Sequence, residues 1–370
     1  VSVPCKPGLK ILDADGSELP AQKIRHGGQD ELVFLAGDVP PCGYKVFRMV
    51  KGGPAKSATD LKATPKSLEN SRIRVKLDAD GHVISFYDKL NRREIIPKGE
   101  LANEFQLFED ISGYYEAWDL HDVKDVHTWP VRKAESVRVV ETGPLRAAVE
   151  VRKRIGNSVL TQRIVLWKDA SWLDFETTVD WNESHKCLKV SFPLAVHAFN
   201  ARYDIAFGNQ DRPTHRSTTW EQTKFEVVAH KWADVSDAAY GVSLINDCKY
   251  GYDIKDNVMR LSLLRAPTTP DPEADRGRHR FSYALYPHRG DFRQAGVPRR
   301  GYEFNVPLTA VPVQGRSGAP RAAGEPASHS FFSLDAENVI LETVKPAEDG
   351  RGIIVRLYEA HGGRGRVTLR

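Results

Sequence analysis

Residues 240–253, YGVSLINDCKYGYD, place a short apolar run directly before a loop that is rich in polar and aromatic residues. Two runs of the same kind follow at residues 261–267, LSLLRAP, and 278–288, RHRFSYALYPH. Apolar runs of this length, bounded by turn residues, predict β-strands. Strands that end in polar, aromatic loops are a common way for a rigid sheet to present a binding surface. The loop after Ile245 is the densest example, with an acid, a base, a thiol and two tyrosines.

The same pattern extends over most of the chain. Short strand-like runs occupy residues 9–13, 31–35 and 44–50, and alternating polar and apolar runs recur between residues 137 and 193. Residues 70–77 and 82–88 alternate on either side of the turn sequence DADG, which predicts a β-hairpin. No stretch has the periodicity of a long, capped amphipathic helix. The sequence therefore predicts a mainly β fold of large antiparallel sheets.

Changes in composition divide this β series into segments. Residues rich in Gly, Ser, Pro and Ala, without periodicity, are typical of linkers. The predicted organisation is a small β-sandwich segment at 1–50, a linker at 51–65, a large β-sandwich at 66–312, a flexible connector at 313–330, and C-terminal strands at 331–370 that pack with 1–50.

Composition and charge exclude several classes of function. The chain has 370 residues, 41% hydrophobic and 28% charged, and a formal net charge of +4 from interspersed acids and bases. This balance gives no basis for nucleic-acid binding. No apolar run is long enough to span a membrane, and four scattered cysteines indicate free thiols in a reducing compartment, hence the cytoplasm. The first residue is not Met and the last residues read as mid-strand, so we expect a piece of a longer polypeptide.

The motifs of self-contained catalysis do not occur in the sequence. The twelve histidines form no HxH or HExxH pattern, and no GxSxG elbow occurs. Asp119, His121, Asp122 and His127 are close in sequence, but their spacing favours a solvated loop over a local metal site. Cys248 beside Lys249 is the most plausible reactive thiol, although a small packed side chain is the better interpretation.

The segment at residues 108–119, FEDISGYYEAWD, concentrates aromatic rings and carboxylates. Rings that cover the C–H face of a sugar, and carboxylates that accept its hydroxyl groups, are the usual chemistry of carbohydrate sites. The alternative is a surface loop that Trp118 anchors in the core. The two interpretations stay open at this point.

Several of these motifs together resemble the C-terminal half of glycoside hydrolase family 38 α-mannosidases, most closely the bacterial and cytosolic branch. The runs that carry the resemblance follow one another along nearly the whole chain: YEAWD at 115–119, RPTH at 212–215, KFE at 224–226, NDCKYGYD at 246–253, LSLLRAP at 261–267 and YPH at 286–288. The resemblance implies a large antiparallel supersandwich, similar to the galactose-mutarotase fold, plus a small β-sandwich built from the two ends of the chain.

The resemblance also implies where the chemistry lies. Family members are retaining exo-acting α-mannosidases that hydrolyse terminal α-mannosides. Their N-terminal barrel carries the nucleophilic Asp and a divalent metal, usually zinc, and a helical bundle follows it. We therefore expect no catalytic residue and no metal ligand in this fragment, which alone should be inactive. Its partners would be its own barrel and bundle and α-mannoside glycans, and a homo-oligomer stays open.

In the family, loops of the large β-domain help to close the sugar pocket on the barrel. By position, three groups of residues are the candidates for lining that pocket: Tyr114, Tyr115, Trp118 and Asp119; Asp247, Lys249 and Tyr250; and Arg212 and His215. Three alternative functions remain: a free-standing carbohydrate-binding module, a mutarotase-like epimerase, and a purely structural role that contributes sheet edges to an oligomer. The epimerase would need a His and a carboxylate facing each other across a sugar, for which His197 and Glu176 can be nominated.

Overall fold

A computed structural model describes residues 1–5, 8–53, 57–111, 113, 115–122, 126–313 and 326–370. The chain divides into two compact units. The first comprises Val1–Thr59, Gly143–Arg146 and Val306–Arg370, and the second comprises Asp60–Thr142 and Ala147–Asn305. Both are built mainly from β-strands, so the predicted fold class is confirmed.

The N-terminal part of the first unit forms two small antiparallel sheets, with the orders β1-β5-β4 and β3-β2-β7. Their strands are β1 (Ser2–Pro4), β2 (Leu9–Leu12), β3 (Glu18–Leu19), β4 (Ala21–His26), β5 (Gln29–Phe34) and β7 (Arg48–Lys51). In the sequence, β6 (Gly43–Lys45) comes between β5 and β7. Ile11, Ala21, Leu32 and Phe34 form the buried core of this part. Four buried apolar side chains make a small core, in agreement with the short strands.

The second unit contains most of the strands and both helices. They are β8 (Lys62–Thr64), β9 (Ser67–Glu69), β10 (Ile73–Leu77), β11 (Val83–Asp88), β12 (Arg93–Glu94), β13 (Glu104–Glu109), β14 (Thr128–Val131), β15 (Ser136–Thr142), β16 (Arg146–Ile155), β17 (Ser158–Trp167), β18 (Leu173–Trp181), β19 (Lys186–Pro193), β20 (Asn200–Ile205), β21 (Gly208–Pro213), α1 (Thr219–Gln222), β22 (Val227–Val228), β23 (Trp232–Ser236), β24 (Tyr240–Asn246), β25 (Gly251–Lys255), β26 (Val258–Arg265), β27 (Gly277–Arg289) and α2 (Val297–Asn305).

Three sheets arrange these strands. The orders are β15-β16-β17-β18-β27-β24-β23-β20-β21, β14-β13-β19-β26-β25-β22 and β12-β11-β10-β9-β8. One continuous cluster of buried apolar side chains draws on all three sheets. Phe175 and Tyr283 of the nine-stranded sheet stack with ring centroids 5.0 Å apart, and Phe192 of the six-stranded sheet packs edge-on against both rings. These rings join the two large sheets face to face, which is the predicted sandwich.

The predicted hairpin at residues 70–88 is confirmed. β10 pairs with β11 in antiparallel register, from Ile73 opposite Asp88 onward. In the turn, Asp78 Oδ1 accepts hydrogen bonds from the N–H groups of Asp80 (2.9 Å) and His82 (2.8 Å). A carboxylate that satisfies the turn's own backbone is the reason why DADG specifies this geometry.

The nine-residue helix α2 is not evident in the sequence. It contains Pro298 and Gly301, two residue types that do not predict a helix. Gly301 lets the helix approach the sheet, because a Cβ there would lie 2.7 Å from Trp232 Cδ1. Val297 packs with Trp232 in a small separate core. The Asn305 side chain then donates a 2.9 Å hydrogen bond to the carbonyl group of Asn246. The helix thereby reaches the loop that follows β24.

The C-terminal strands are β28 (Ser328–Ser330), β29 (Val339–Pro346) and β30 (Ile353–Glu359). β28 pairs with β6, so a strand from each end of the chain contributes to one sheet. β29 and β30 form an antiparallel hairpin. β8 lies inside the predicted linker and β28 inside the predicted connector, whose residues 314–325 fall outside the described ranges. The domain boundaries themselves stay a prediction.

Candidate functional site

The loop between β24 and β25 is fixed by the residue at its root. The buried Asn246 side chain donates to the His230 carbonyl group (2.9 Å) and to the Tyr252 hydroxyl group (2.7 Å), and it accepts a 2.5 Å hydrogen bond from the Lys249 N–H. At the other side of the loop, Asp247 Oδ2 accepts from the backbone N–H of Ser282 on β27 (2.9 Å). The loop therefore has a defined conformation without any ligand.

Two side chains of this loop have displaced pKa values. Burial lowers the pKa of Lys249, whose ammonium group lies 4.5 Å from the centroid of the Phe281 ring. Cys248 is exposed, so its interpretation as a small packed side chain is wrong. Partial burial of its thiol and a hydrogen bond with Asp247 nevertheless raise the pKa of that thiol to about 11. A thiol with so high a pKa is a poor nucleophile near neutral pH, which argues against a reactive Cys248.

The second loop covers residues 115–119 and makes a tight turn. The N–H groups of Trp118 and Asp119 both donate to the Tyr115 carbonyl group, at 3.0 and 2.8 Å. The Trp118 side chain is 71% exposed. The interpretation of Trp118 as an anchor in the core is therefore wrong, because the turn holds the indole ring outward. Tyr115 and Asp119 are also exposed.

Arg265, the last residue of β26, holds this turn from outside. Its Nε and Nη2 atoms donate to both oxygens of the fully buried Asp110, at 2.7 and 2.9 Å. The same guanidinium also donates to the backbone carbonyl groups of Glu116 (2.8 Å), Ala117 (3.3 Å) and Asp119 (2.7 Å). A planar fork with five donors is suited to such a set of acceptors.

Sheet order explains why these residues meet. Within the six-stranded sheet, Phe108 on β13 pairs with Cys187 on β19, and Cys187 pairs with Arg265 on β26. The end of β13 and the end of β26 therefore lie at the same edge of the sheet, with one strand between them. Asp110, two residues beyond Phe108, comes within reach of Arg265 at that edge.

Glu116 gives the turn a second anchor. Its Oε2 accepts from the Thr268 N–H (2.6 Å), the Thr268 hydroxyl group (2.9 Å) and the Thr269 N–H (3.1 Å), and Oε1 lies 2.6 Å from His185 Nδ1. The Thr268 N–H, acting against burial, lowers the pKa of Glu116 below its ordinary value. The carboxylate is therefore ionised, and it ties the turn to the segment that follows β26.

The two loops border one groove of about 430 Å³. Its lining residues come from both loops and from the strands between them: Trp118, Leu120, Cys187, Glu226, Lys249, Gly251, Ser262, Leu263, Leu264, Arg265, Asp275 and His279. The groove thus offers an exposed indole ring, two carboxylates and several donors. The structure brings Trp118 and Lys249 together, although they are far apart in the sequence.

Glu226, which lines the groove, forms an ion pair with the buried Lys189. The Lys189 ammonium group, which is 1% exposed, and the Ser262 hydroxyl group both donate to the Glu226 carboxylate. Burial, the largest single influence, lowers the pKa of Lys189, but the charges of Glu226 and its other acidic neighbours and the hydrogen bond to Glu226 together raise that pKa above its ordinary value. Glu226 is thus held in one position. Burial raises the pKa of the neighbouring Cys187 thiol to about 12, so that this cysteine is unreactive.

A second, smaller cavity of about 210 Å³ lies on the other side of the Asn246 loop. His230, Lys231, Asp247, Tyr250 and Asn305 line it. The Tyr250 ring packs edge-on against His230, with centroids 5.5 Å apart. The second predicted group therefore divides, with Lys249 at the groove and Asp247 and Tyr250 at the smaller cavity.

The third predicted group lines neither cavity. The Arg212 guanidinium lies 5.1 Å from the Tyr203 ring centroid and donates to the Val228 carbonyl group (3.2 Å). His215 Nδ1 lies 3.4 Å from the Glu221 carboxylate. Tyr114 falls outside the described residues. Its neighbours Tyr115 and Asp119 do not line the groove either, although Arg265 binds the Asp119 carbonyl group.

Sequence reasoning missed Arg265, Glu226 and His279 as groove residues. Arg265 had a signal of its own, since it is the one charged residue in the run LSLLRAP. A charge at the end of an otherwise buried strand needs a partner, and that partner is Asp110. No comparable local signal distinguishes Glu226 or His279.

The described residues do not fit a metal ion. Nowhere in the described ranges do three or more His, Cys, Asp or Glu side chains group so that they could hold one. His121 Nε2 lies 2.8 Å from the Ile111 carbonyl oxygen, and Asp122 pairs with Arg216 at 2.9 Å. Among the described helices, none combines the length and the apolar character that crossing a bilayer requires.

Comparison with known proteins agrees with the fold and the motifs. The family described as glycosyl hydrolases family 38 C-terminal domain matches residues 68–273, and its C-terminal beta sandwich domain matches residues 338–370. Alpha-mannosidase 2C1 of Homo sapiens is 44% identical over 301 residues, which cover 80% of this chain and 28% of that protein. Alpha-mannosidase G of Dictyostelium discoideum is 36% identical over 346 residues, covering 88% and 31%. The chain therefore spans less than a third of the length of these curated relatives.

The solved structures show the same fold. The crystal structure of a protein in glycosyl hydrolase family 38 from Enterococcus faecalis superposes with a TM-score of 0.81 at 16% identity, over 99% of this chain and 48% of that chain. The resemblance inferred from the motifs is confirmed. The match to the glycosyl hydrolases family 38 C-terminal domain, at residues 68–273, covers more than half of this chain. The chain therefore belongs to glycosyl hydrolases family 38, in the C-terminal region of that family.

Proposed function

We propose that the chain is the non-catalytic C-terminal half of a retaining exo-α-mannosidase that hydrolyses terminal α-mannosides. In this proposal the groove is one wall of the sugar pocket, and an N-terminal catalytic barrel supplies the other wall. The observation that carries the proposal is the meeting of Trp118 and Lys249 at one groove that also contains carboxylates. The names of the curated relatives supply the substrate class.

The groove has the side chains that sugar binding needs. The exposed indole of Trp118 can cover the C–H face of a pyranose ring, and Glu226 and Asp275 can accept hydrogen bonds from hydroxyl groups. Lys249 and His279 lie at the same groove as donors. These residues bind and orient a sugar. Asp247 and Tyr250 line the smaller cavity instead, and the remaining candidates, Tyr115, Asp119, Arg212 and His215, line neither cavity.

The bond-breaking chemistry belongs to the proposed barrel. That domain would supply the nucleophilic carboxylate and zinc or another divalent metal, which stabilises developing negative charge when bound. The described residues of this chain hold no fitting ligand set, so the ligands of the metal would come from the barrel. The proposed partners are therefore the barrel, the helical bundle and the mannoside. The four free cysteines support a cytoplasmic location.

Two activity measurements test the proposal. The 370-residue chain and the intact enzyme are compared with an aryl α-mannoside as substrate. We expect turnover only by the intact enzyme, and a raised KM when Trp118 is replaced by Ala there. Turnover by the chain alone at a rate near that of the intact enzyme would contradict the assignment of the chemistry to the barrel. An unchanged KM in the Trp118 variant would remove the groove from the pocket.

One observation favours a second function, a carbohydrate-binding module. Trp118 is 71% exposed beside a preformed groove, which is an arrangement that binds sugars without a catalytic partner. Titration calorimetry of the isolated chain with mannose distinguishes the two, because only the module binds mannose in the absence of the barrel. No observation supports the epimerase, since His197 and Glu176 line neither cavity.

A further inference from the structure

We propose that Arg265 is a positioning residue, which holds the turn at residues 115–119 in the conformation that places Trp118 at the groove. The effect of this positioning on substrate binding rests on the proposed function, whereas the positioning of the turn itself is a property of this chain. Within the described residues, the hydrogen bonds that Arg265 donates to the turn all end on backbone carbonyl groups. Arg265 therefore fixes the path of the chain whatever side chains the turn carries.

The burial of Asp110 gives the arrangement its rigidity. Asp110 is fully buried, so its charge requires a partner, and Arg265 meets both carboxylate oxygens. A bidentate pair leaves the guanidinium little freedom to rotate. The remaining N–H groups then point in fixed directions: Nη1 donates to the Ala117 carbonyl group, and Nη2, which also serves Asp110, shares its two hydrogens with the carbonyl groups of Glu116 and Asp119. An acid at the end of β13 thereby orients a loop through a base at the end of β26.

In the described part of the chain, two further sets of contacts restrain the turn. The N–H groups of Trp118 and Asp119 donate to the Tyr115 carbonyl group, and Trp118 is mostly exposed. Glu116 ties one residue of the turn to Thr268 and Thr269. Arg265 spans the rest of the turn, up to Asp119. Without it, the residues on either side of Trp118 would lose their fixed partner.

Arg260 provides a matched control on the same strand. Its side chain is 22% exposed and pairs with Asp253, which is 1% exposed, whereas Arg265 is 23% exposed and pairs with Asp110 at 0%. Arg260 also donates to the Gln106 side chain within the sheet (3.1 Å). None of its hydrogen bonds described here involves the turn. The two arginines thus differ in the three carbonyl groups, and Asp253 also has Arg216 as a second partner at 3.0 Å.

The test replaces each arginine by lysine in the 370-residue chain. Arg265→Lys keeps a positive charge beside Asp110, but a single ammonium group cannot serve the carboxylate and three carbonyl groups together. We expect amide exchange at Trp118 and Asp119 to accelerate about tenfold in Arg265→Lys, and less than about twofold in Arg260→Lys. Arg265→Ala should accelerate it further. Unfolding midpoints of all variants identify any that lose the fold as a whole.

Unchanged exchange at Trp118 and Asp119 in Arg265→Lys overturns the proposal, and so does equal acceleration in Arg260→Lys. In the intact enzyme, Arg265→Lys should raise KM for an aryl α-mannoside and leave kcat within about twofold, because the turn shapes the pocket and does no chemistry. If Trp118→Ala raises KM and Arg265→Lys does not, the positioning role is wrong while the proposed function stands. If neither variant changes KM, the proposed function of the groove fails instead.

Discussion

The two loops that border the groove are held in opposite ways. The loop after β24 is fixed from its own root, since the Asn246 side chain accepts a hydrogen bond from the N–H of Lys249, three residues later. The turn at 115–119 is fixed from a distant part of the chain, by Arg265 and Thr268. The first loop therefore has a local hydrogen bond at its root beside its contact with Ser282 on β27, whereas the contacts of the second with Arg265 and Thr268 exist only once the six-stranded sheet has formed. Damage to the first should appear mainly as lost stability, and damage to the second as a displaced binding surface.

The largest expected effect tests the local loop. Asn246→Ala removes a buried side chain with three hydrogen-bond partners and leaves the Lys249 N–H and the His230 carbonyl group unsatisfied. We expect the free energy of unfolding of the second unit to fall by about 3 kcal/mol, as measured by urea titration. Asn257→Ala is the control, because its side chain makes one described hydrogen bond, to the Leu194 carbonyl group (2.7 Å). It should cost about 1 kcal/mol. Equal losses would show that Asn246 has no special role at the loop root.

The next effect concerns binding rather than stability. Trp118→Ala should raise KM of the intact enzyme for an aryl α-mannoside about tenfold, which corresponds to about 1.4 kcal/mol. The free energy of unfolding should change by no more than about 0.5 kcal/mol, because the side chain is mostly exposed. Trp220 is the matched control, since it is also 71% exposed and lines neither cavity. A similar rise of KM in Trp220→Ala would mean that exposure, and not the groove, decides the effect.

A smaller effect tests the second anchor of the distant turn through its pH dependence. The folded-state pKa of Glu116 lies below its ordinary value of 4.5. Its stabilisation is therefore present above that value and is lost as the pH falls through the folded-state pKa. Glu116→Gln should lower the free energy of unfolding by about 1 kcal/mol at pH 7, and the difference from wild type should shrink on acidification.

Urea titrations at pH 7 and below pH 4 measure this difference. Glu135→Gln serves for comparison, since Arg152 lowers the pKa of that carboxylate on the surface. Its effect should be smaller at every pH, because water screens exposed pairs. A pH-independent difference for Glu116→Gln would show that the charge of Glu116 is not what anchors the turn.

The smallest effect separates the groove from the third predicted group. Arg212→Ala should change KM by less than about twofold, because Arg212 lies over Tyr203 and lines neither cavity. Steady-state kinetics of the intact enzyme measure KM for Arg212→Ala and for Trp118→Ala under the same conditions. If Arg212→Ala matched the rise of KM in Trp118→Ala, the sugar pocket would extend beyond the groove to this group.

The sequence by itself determined the strands, the loops between them and the family. In β18, for example, Leu173, Phe175, Thr177, Val179 and Trp181 are all buried at every second position. This alternation is a local property, because successive side chains of a strand point to opposite faces. The hydrogen bond from the Lys249 N–H to the Asn246 side chain is also local, since the two residues are three positions apart.

Only the tertiary structure decided which of these loops meet and what each faces. The partners of the 115–119 turn depend on the order β13-β19-β26, and no local pattern encodes the order of strands in a sheet. The same holds for the division of the Asn246 loop, which directs Lys249 to the groove and Asp247 to the smaller cavity. Side-chain periodicity extends over a few residues, whereas the groove depends on contacts between distant parts of the chain, such as the hydrogen bonds of Arg265 to the turn.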